Sequence, residues 1–92
     1  MHSKNSKPLT QLEKKHLAAV KNTPCCICGA KPPTSAHHIN QGEHFTAIAL
    51  CYECHQGDNG YHGNRRRLDI YKFNIFKALN QTIKNIYKYE NL

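Results

Sequence analysis

Apolar residues recur at helical spacing near the beginning of the chain. Just before them, Thr10 and Glu13 form a capping-box pattern, whose hydroxyl and carboxylate satisfy free amides at a helix N-terminus. We therefore predict a helix that ends at about Lys21. The residues expected on its inner face are Leu12, His16 or Leu17, and Val20.

A second helical pattern lies near the end of the chain and predicts a helix over residues 75 to about 89, with Asn74 as its cap. Its apolar stripe, most of which is expected to be core, comprises Ile75 or Phe76, Leu79, Ile83, and Ile86 or Tyr87. The lysines of this region form either a solvated face or a phosphate-facing one; they are Lys72, Lys77, Lys84 and Lys88.

Between these helices, residues 24–63 have the composition of short strands and turns. Residues 35–39 and 47–50 are strand-like, and residues 40–44 between them have turn chemistry. Residues 57–60 form another turn, and a short helix is predicted over about 64–71. The fold class expected from this order is α+β.

The length of 92 residues predicts one small domain, over residues 9–92, after a disordered basic lead-in at residues 1–8. A chain of this size buries only about 60–65% of its unfolded surface, so an additional staple is expected. We find no apolar run long enough to span a bilayer and no signal-peptide core in the first twenty residues. We therefore expect a cytoplasmic protein, in which close cysteine pairs indicate metal binding rather than disulfides.

The formal net charge of +7 is unevenly distributed. Residues 1–21 carry five lysines and Glu13, for a net charge of +4, and residues 65–92 carry a net charge of +5. The segment between them, at −2, holds most of the cysteines and histidines. Basic ends beside a metal-binding centre favour a polyanionic partner such as DNA, although solvated lysines would give the same composition.

Four of the five cysteines form two C-x-x-C pairs, which predict a closed tetrahedral zinc site that leaves no position for chemistry. The pairs are Cys25 with Cys28 and Cys51 with Cys54, and the 22 residues between them fit a hairpin. Gly29 follows the first pair, where a zinc knuckle often needs an unusual backbone angle. Cys26 is interpreted as a small packed residue, because its pairing with Cys28 would be only C-x-C.

Two adjacent histidines lie on the first predicted strand. Since neighbouring strand residues point to opposite sides, His37 and His38 suit a division of labour, one binding a metal and the other serving as a base. His55 and His62 follow the second cysteine pair. His44 and His2 are interpreted as loop and tail residues, and His16 as a residue that packs or faces solvent.

The string of these motifs, over about residues 12–72, resembles the HNH endonuclease family. Within that family it is most similar to phage-encoded recombination-enhancement (Ref-like) nucleases, which depend on the host recombinase. The resemblance implies a ββα-metal (His-Me finger), treble-clef-like domain. Its zinc-braced catalytic core would cover about residues 24–71, flanked by an N-terminal helix and C-terminal helices. It also implies a bacterial host cell, and as partners DNA and a host recombinase or a phage replication or recombination protein.

The resemblance assigns a role to each histidine of the motif. His37 would bind a catalytic divalent cation (Mg²⁺, Mn²⁺, Ni²⁺ or Zn²⁺), His38 would be the general base, and His55 and His62 would complete the metal shell. The pattern departs from the family in two ways. Thr46 stands where the middle Asn is usual, and the last two histidines are seven residues apart rather than four. Asp58 or Asn59 could therefore replace one histidine.

The function implied by the resemblance is hydrolysis of DNA phosphodiester bonds that leaves 5′-phosphate and 3′-hydroxyl ends. Three consecutive arginines follow His62 and are expected to contact phosphates: Arg65, Arg66 and Arg67. One of the three could instead pack within the predicted short helix. No base-reading element is apparent, so cleavage is expected to be weakly sequence-specific or targeted by a partner. The alternative is a non-catalytic, zinc-stapled module that binds DNA or protein.

Overall fold

The computed structural model describes residues 8–90, so nearly all of the predicted lead-in, including His2, lies outside the described residues. The chain folds into helices around a two-stranded antiparallel sheet, which confirms the α+β class. In chain order the elements are α1 Gln11–Lys21, β1 Ser35–His38, β2 Ala47–Leu50, α2 Tyr52–His55, α3 Arg66–Ile70 and α4 Ile75–Glu90, with a short 3-10 turn, His44–Thr46, before β2. None of the helices within residues 8–90 is long and apolar enough to cross a membrane.

The hairpin of β1 and β2 is the centre of the fold. Its register pairs Ser35 with Leu50 and His37 with Ile48. All four residues of β2 are buried, because the strand is packed between β1, α1 and α4. On β1 the side chains alternate, which buries His37 and leaves the neighbouring His38 half-buried.

Helix α1 begins with the predicted capping box. The Thr10 amide donates to the Glu13 carboxylate over 2.8 Å, and the Glu13 amide donates to the Thr10 hydroxyl over 3.1 Å. Val20 is fully buried as expected, but Leu12 is 65% exposed, so its predicted place in the core is wrong. The reason is that α1 and α4 leave a groove of about 400 Å³ between them, which Leu12 lines. His16 packs its ring against Phe45, with ring centroids 5.1 Å apart.

Helix α4 begins at the predicted cap, where the Asn74 side-chain oxygen accepts hydrogen bonds from the amides of Phe76 and Lys77. Its buried residues are Ala78, Thr82, Asn85 and Ile86, so the predicted stripe is confirmed at Ile86, and Leu79 is partly buried against the core. Of the expected core residues, Phe76, Ile83 and Tyr87 are exposed. Small side chains let the helix backbone lie close to β2, and this contact decides which face is buried.

The contact between α4 and β2 also satisfies the outer edge of the sheet. The buried Ala49 amide donates to the Thr82 hydroxyl over 3.2 Å. On the same edge, the Ala49 carbonyl accepts a hydrogen bond of 2.9 Å from the Cys26 amide. The backbone polar groups of Ala49 that face away from β1 are therefore both paired, and the hairpin is fixed against the first cysteine pair.

Candidate metal centre

The four cysteines of the two C-x-x-C pairs lie in one cluster, with their sulfur atoms all within 4.8 Å of one another. The sulfurs of Cys28 and Cys51 are 3.6 Å apart. Zinc–sulfur bonds of about 2.3 Å place the corners of a tetrahedral site about 3.8 Å apart, so the cluster has the dimensions of a zinc site. Cys25 and Cys54 are buried, and the other two sulfurs are half-buried. The donor set and its spacing fit a structural zinc ion.

The first cysteine pair is shaped by a turn that ends at Gly29, whose φ of 80° lies in the left-handed region that favours glycine. The Gly29 amide donates to the Cys25 carbonyl over 2.9 Å, and the Ile27 amide points at the Cys25 sulfur over 3.4 Å. Burial would raise the pKa of Cys28, but hydrogen bonds from the Ala30 amide and the neighbouring thiols lower it to about 7. This thiol therefore loses its proton readily near neutral pH, as a zinc ligand must.

Cys26 lies outside the cluster, in agreement with the sequence interpretation. It is half-buried and packs against the core. Burial raises the pKa of its thiol to about 12, so Cys26 stays protonated at neutral pH. Its structural contribution is the backbone hydrogen bond to β2 described above.

The second cysteine pair lies at the start of α2, a short helix in a region where the sequence predicted only strands and turns. The His55 amide donates to the Cys51 carbonyl over 2.9 Å, which closes the single turn of this helix. As a result Cys54 and His55, which are adjacent in sequence, contribute to two different clusters. The element that completes the cysteine site therefore also positions a histidine of the second site.

The seven-residue spacing from His55 to His62 is accommodated by a tight turn that folds back onto α2. The Tyr61 amide donates to the Cys54 carbonyl over 2.7 Å, and the His62 amide donates to the His55 carbonyl over 3.0 Å. Gly60 lies inside this turn, where an added Cβ would be 2.5 Å from the Glu53 carbonyl oxygen. Only glycine fits at this point, and the turn brings the two histidines side by side.

His37, His55 and His62 form a second cluster, in which one ring nitrogen from each residue lies within 4.8 Å of the others. His37 Nδ1 and His55 Nε2 are 3.2 Å apart, close to the spacing of about 3.3 Å between tetrahedral ligands with metal–nitrogen bonds of about 2.0–2.1 Å. His37 is buried, His55 half-buried and His62 exposed, so the cluster opens to solvent on one side. Of the alternative ligands, Asp58 is exposed and does not belong to this cluster, and Asn59 is exposed.

The electrostatics of the histidine cluster suit a bound cation. Burial, together with the neighbouring His55 and His62, lowers the pKa of His37 to about 4. Burial and His62 also lower the pKa of His55. Both imidazoles are therefore neutral at pH 7, the form that binds metal. Among the described residues, His55 Nδ1 is buried without a hydrogen-bond partner. Three imidazole nitrogen donors fit a divalent ion and leave coordination positions open.

His38 lies outside this cluster and contacts His44, which the sequence suggested was only a loop residue. Its Nε2 is 2.9 Å from Nδ1 of His44, with the two rings nearly perpendicular at 85°. Burial, His44 and Lys21 lower the pKa of His38, so it is neutral near pH 7. One weak signal of this contact is present in the sequence, because His44 lies at the far end of the short loop that begins after His38. Thr46, at the position of the family's Asn, donates its hydroxyl to the Glu43 carbonyl over 3.2 Å within that loop.

The three consecutive arginines have different surroundings. The Arg65 guanidinium stacks on the Tyr61 ring at 4.2 Å from its centroid, and its Nε donates to the Tyr61 carbonyl over 2.9 Å. The same ring lies 4.2 Å from that of His37, so Arg65 is close to the histidine cluster. Arg66 extends from α3 into solvent. Arg67 instead donates from Nε to the sulfur of Cys54 over 3.4 Å.

Comparison with protein-family models, with curated proteins and with solved structures found no match to this chain. The function of the site is therefore argued from its own side chains. They provide a closed cluster of four sulfurs, an open cluster of three imidazoles, and a fourth imidazole, His38, which is next to His37 in sequence and outside the open cluster. Four close cysteines and three close histidines could each hold a metal ion such as zinc.

Proposed function

We propose that this chain is a metal-dependent endonuclease of the HNH type, which hydrolyses phosphodiester bonds in DNA. The observation that carries the proposal is the cluster of His37, His55 and His62 beside a separate cluster of four cysteines. A structural zinc module needs only the second cluster. The order β1, β2, α2 around both clusters also agrees with a ββα-metal domain, although α2 spans only Tyr52–His55.

In the proposed reaction, His37, His55 and His62 would hold the catalytic ion, which would supply Lewis-acid chemistry to the scissile phosphate. His38, neutral at working pH, takes a proton from the water that attacks phosphorus. Attack forms the new P–O bond and breaks the bond to the 3′-oxygen, which takes a proton from solvent. Arg65, beside the cluster, is close enough to contact the same phosphate or its neighbour.

DNA as the substrate is supported by charge. The basic residues of the C-terminal part give residues 65–92 a net charge of +5. Arg66 and the lysines of α4, such as Lys77 and Lys84, are exposed and available for phosphate contacts. These contacts carry no sequence information, so a targeting partner such as a host recombinase or another phage recombination protein is part of the proposal.

The first test is a plasmid-nicking assay with zinc-loaded protein across added Mg²⁺, Mn²⁺, Ni²⁺ and Zn²⁺, combined with measurement of metal content. The proposal expects one tightly held zinc per chain, a second exchangeable ion, and nicking that depends on the second ion. A single zinc per chain and no nicking with any of the four metals would favour the alternative, a zinc-stapled binding module.

The second test separates the two adjacent histidines. His38→Ala should retain the exchangeable ion and lose nicking by roughly 10²–10⁴-fold, the usual effect of removing a general base. His37→Ala should weaken uptake of that ion, so excess metal should restore part of its activity. Calorimetric metal titration of both variants beside the nicking assay measures the difference. Loss of the ion in His38→Ala and its retention in His37→Ala would reverse the roles.

A further inference from the structure

His44 makes the closest side-chain contact to His38. It lies in the 3-10 turn His44–Thr46 and is not a member of the cluster of three histidines. Its Nδ1 is 2.9 Å from Nε2 of His38, the ring centroids are 5.0 Å apart and the planes are at 85°. This is the geometry of a directed hydrogen bond between two imidazoles rather than of a stacked pair.

The hydrogen bond has a consequence for the tautomer of His38. A neutral imidazole carries one proton, and a base at Nδ1 needs that proton on Nε2. His38 meets this requirement when its Nε2–H donates to Nδ1 of His44, which then carries its own proton on Nε2. The bond also becomes charge-assisted, and therefore stronger, once His38 has accepted a proton from water.

His44 is itself held by the loop and by α1. Glu43, the preceding residue, accepts hydrogen bonds from the Asn40 side chain over 3.0 Å and, at its carbonyl, from the Thr46 hydroxyl over 3.2 Å. The turn packs against α1. On that helix, the Glu13 carboxylate is fixed by the Thr10 amide over 2.8 Å and lies within electrostatic range of His44. The backbone that carries His44 is thus held by the loop and by α1.

We infer that His44 is a positioning residue, which orients the ring of His38 and fixes its proton on Nε2 so that Nδ1 faces the attacking water. The inference rests on the proposed nuclease function, in which His38 is the base. It goes beyond that function because it assigns the hydrogen-bond partner of the base to a loop residue. The geometry requires an acceptor atom at the place of His44 Nδ1, and it does not require an imidazole.

The kinetic test uses His44→Ala together with His44→Asn, whose side-chain oxygen can occupy nearly the same place as Nδ1. His44→Ala should lower kcat by about 10–100-fold, the scale for loss of a hydrogen-bond partner that orients a metal-binding histidine, with KM changed little. His44→Asn should recover most of kcat. In the double variant with His38→Ala, the second change should have no further effect, because the residue that His44 positions is absent. Zinc content and melting temperature serve as controls.

A second measurement does not depend on activity. Two-bond ¹H–¹⁵N NMR spectra of the full zinc-loaded chain should show His38 and His44 both as Nε2–H tautomers. A His38 protonated on Nδ1 would overturn the inference, as would wild-type kcat in His44→Ala or a multiplicative loss in the double variant. Failure of the proposed nuclease function would look different, because the wild-type protein would then not nick DNA with any metal. In that case the NMR result alone decides whether His44 fixes the tautomer of His38.

Discussion

Arg66 and Arg67 are neighbours on α3 and carry the same charge, but only one of them is directed to solvent. Arg66 is exposed, and its backbone amide is held by the Asn64 side chain over 2.9 Å. Arg67 is half-buried, with its Nε 3.4 Å from the Cys54 sulfur and its guanidinium 5.8 Å from the centre of the Tyr71 ring. The hydrogen bond to Cys54 raises the pKa of Arg67 further above its usual value.

Replacing each arginine with alanine removes one positive charge from adjacent positions, so each variant is the control for the other. If Arg66 contacts one phosphate, Arg66→Ala should reduce the slope of log K against log salt by about 0.9. Raising the salt concentration from 50 to 200 mM should then weaken DNA binding of the variant by a factor that is about 3.5-fold smaller than the factor for wild type. Arg67→Ala removes a hydrogen bond to the Cys54 sulfur from a partly solvated position, which should cost about 1 kcal/mol of stability. In a domain of this size that corresponds to a fall of about 4–8 °C in melting temperature.

Fluorescence anisotropy with a labelled duplex at four salt concentrations measures the slope, and thermal unfolding of the zinc-loaded protein measures the stability. We expect the slope to change only in Arg66→Ala and the melting temperature only in Arg67→Ala. Equal slopes for the two variants, both lower than wild type, would mean that Arg67 faces DNA rather than the cysteine cluster. A slope unchanged in both would place the DNA on another surface, such as the lysines of α4.

Three further predictions concern the metal sites and the sheet. Cys54→Ser should unfold or severely destabilise the domain, because structural zinc contributes on the order of 10 kcal/mol of folding-linked binding energy, whereas Cys26→Ser should have a mild effect. Equal losses of stability in thermal unfolding would mean that the first cysteine pair is assigned wrongly. Thr82→Val should destabilise the protein by about 1–3 kcal/mol in urea unfolding, because it leaves the buried Ala49 amide without an acceptor. Thr82→Ser keeps the hydroxyl and should lower the free energy of unfolding by less. A chelator titration should abolish nicking before it lowers the melting temperature, because four thiolates hold zinc more tightly than three imidazoles. Loss of nicking and of thermal stability at the same chelator concentration would show that the two sites are not independent.

The features that could be predicted from the sequence are those fixed by contacts between near neighbours in the chain. The capping box joins Thr10 to Glu13, and the alternation of a strand separates His37 from His38. The same holds for the two C-x-x-C pairs, because a tight turn within each pair is enough to direct both of its sulfurs to one side. Each of these patterns specifies its own geometry within a few residues, whatever the rest of the fold.

The features that could not be predicted depend on contacts between distant segments. Hydrophobicity alone assigns Ile83 to the core and does not choose between Ile86 and Tyr87, but the close approach of α4 to β2 buries Ala78 and the hydroxyl of Thr82 and leaves Ile83 exposed. The separate role of Arg67 depends likewise on where α3 lies relative to the second cysteine pair. Sequence periodicity identifies a helix, while its rotation about its own axis is decided by the partner that it meets.

The pairing of Ala49 with Thr82 and Cys26 has a consequence for how the protein behaves when it is partly unfolded. Strand β2, Ala47–Leu50, contains four consecutive apolar residues without a charge or a proline. In the native state its outer edge cannot recruit a strand from another molecule, because the Ala49 amide and carbonyl are already bonded. Detachment of α4 would uncover this short apolar edge with an unpaired backbone amide, the type of segment at which protein chains aggregate. The C-terminal helix therefore protects the solubility of the chain as well as its fold.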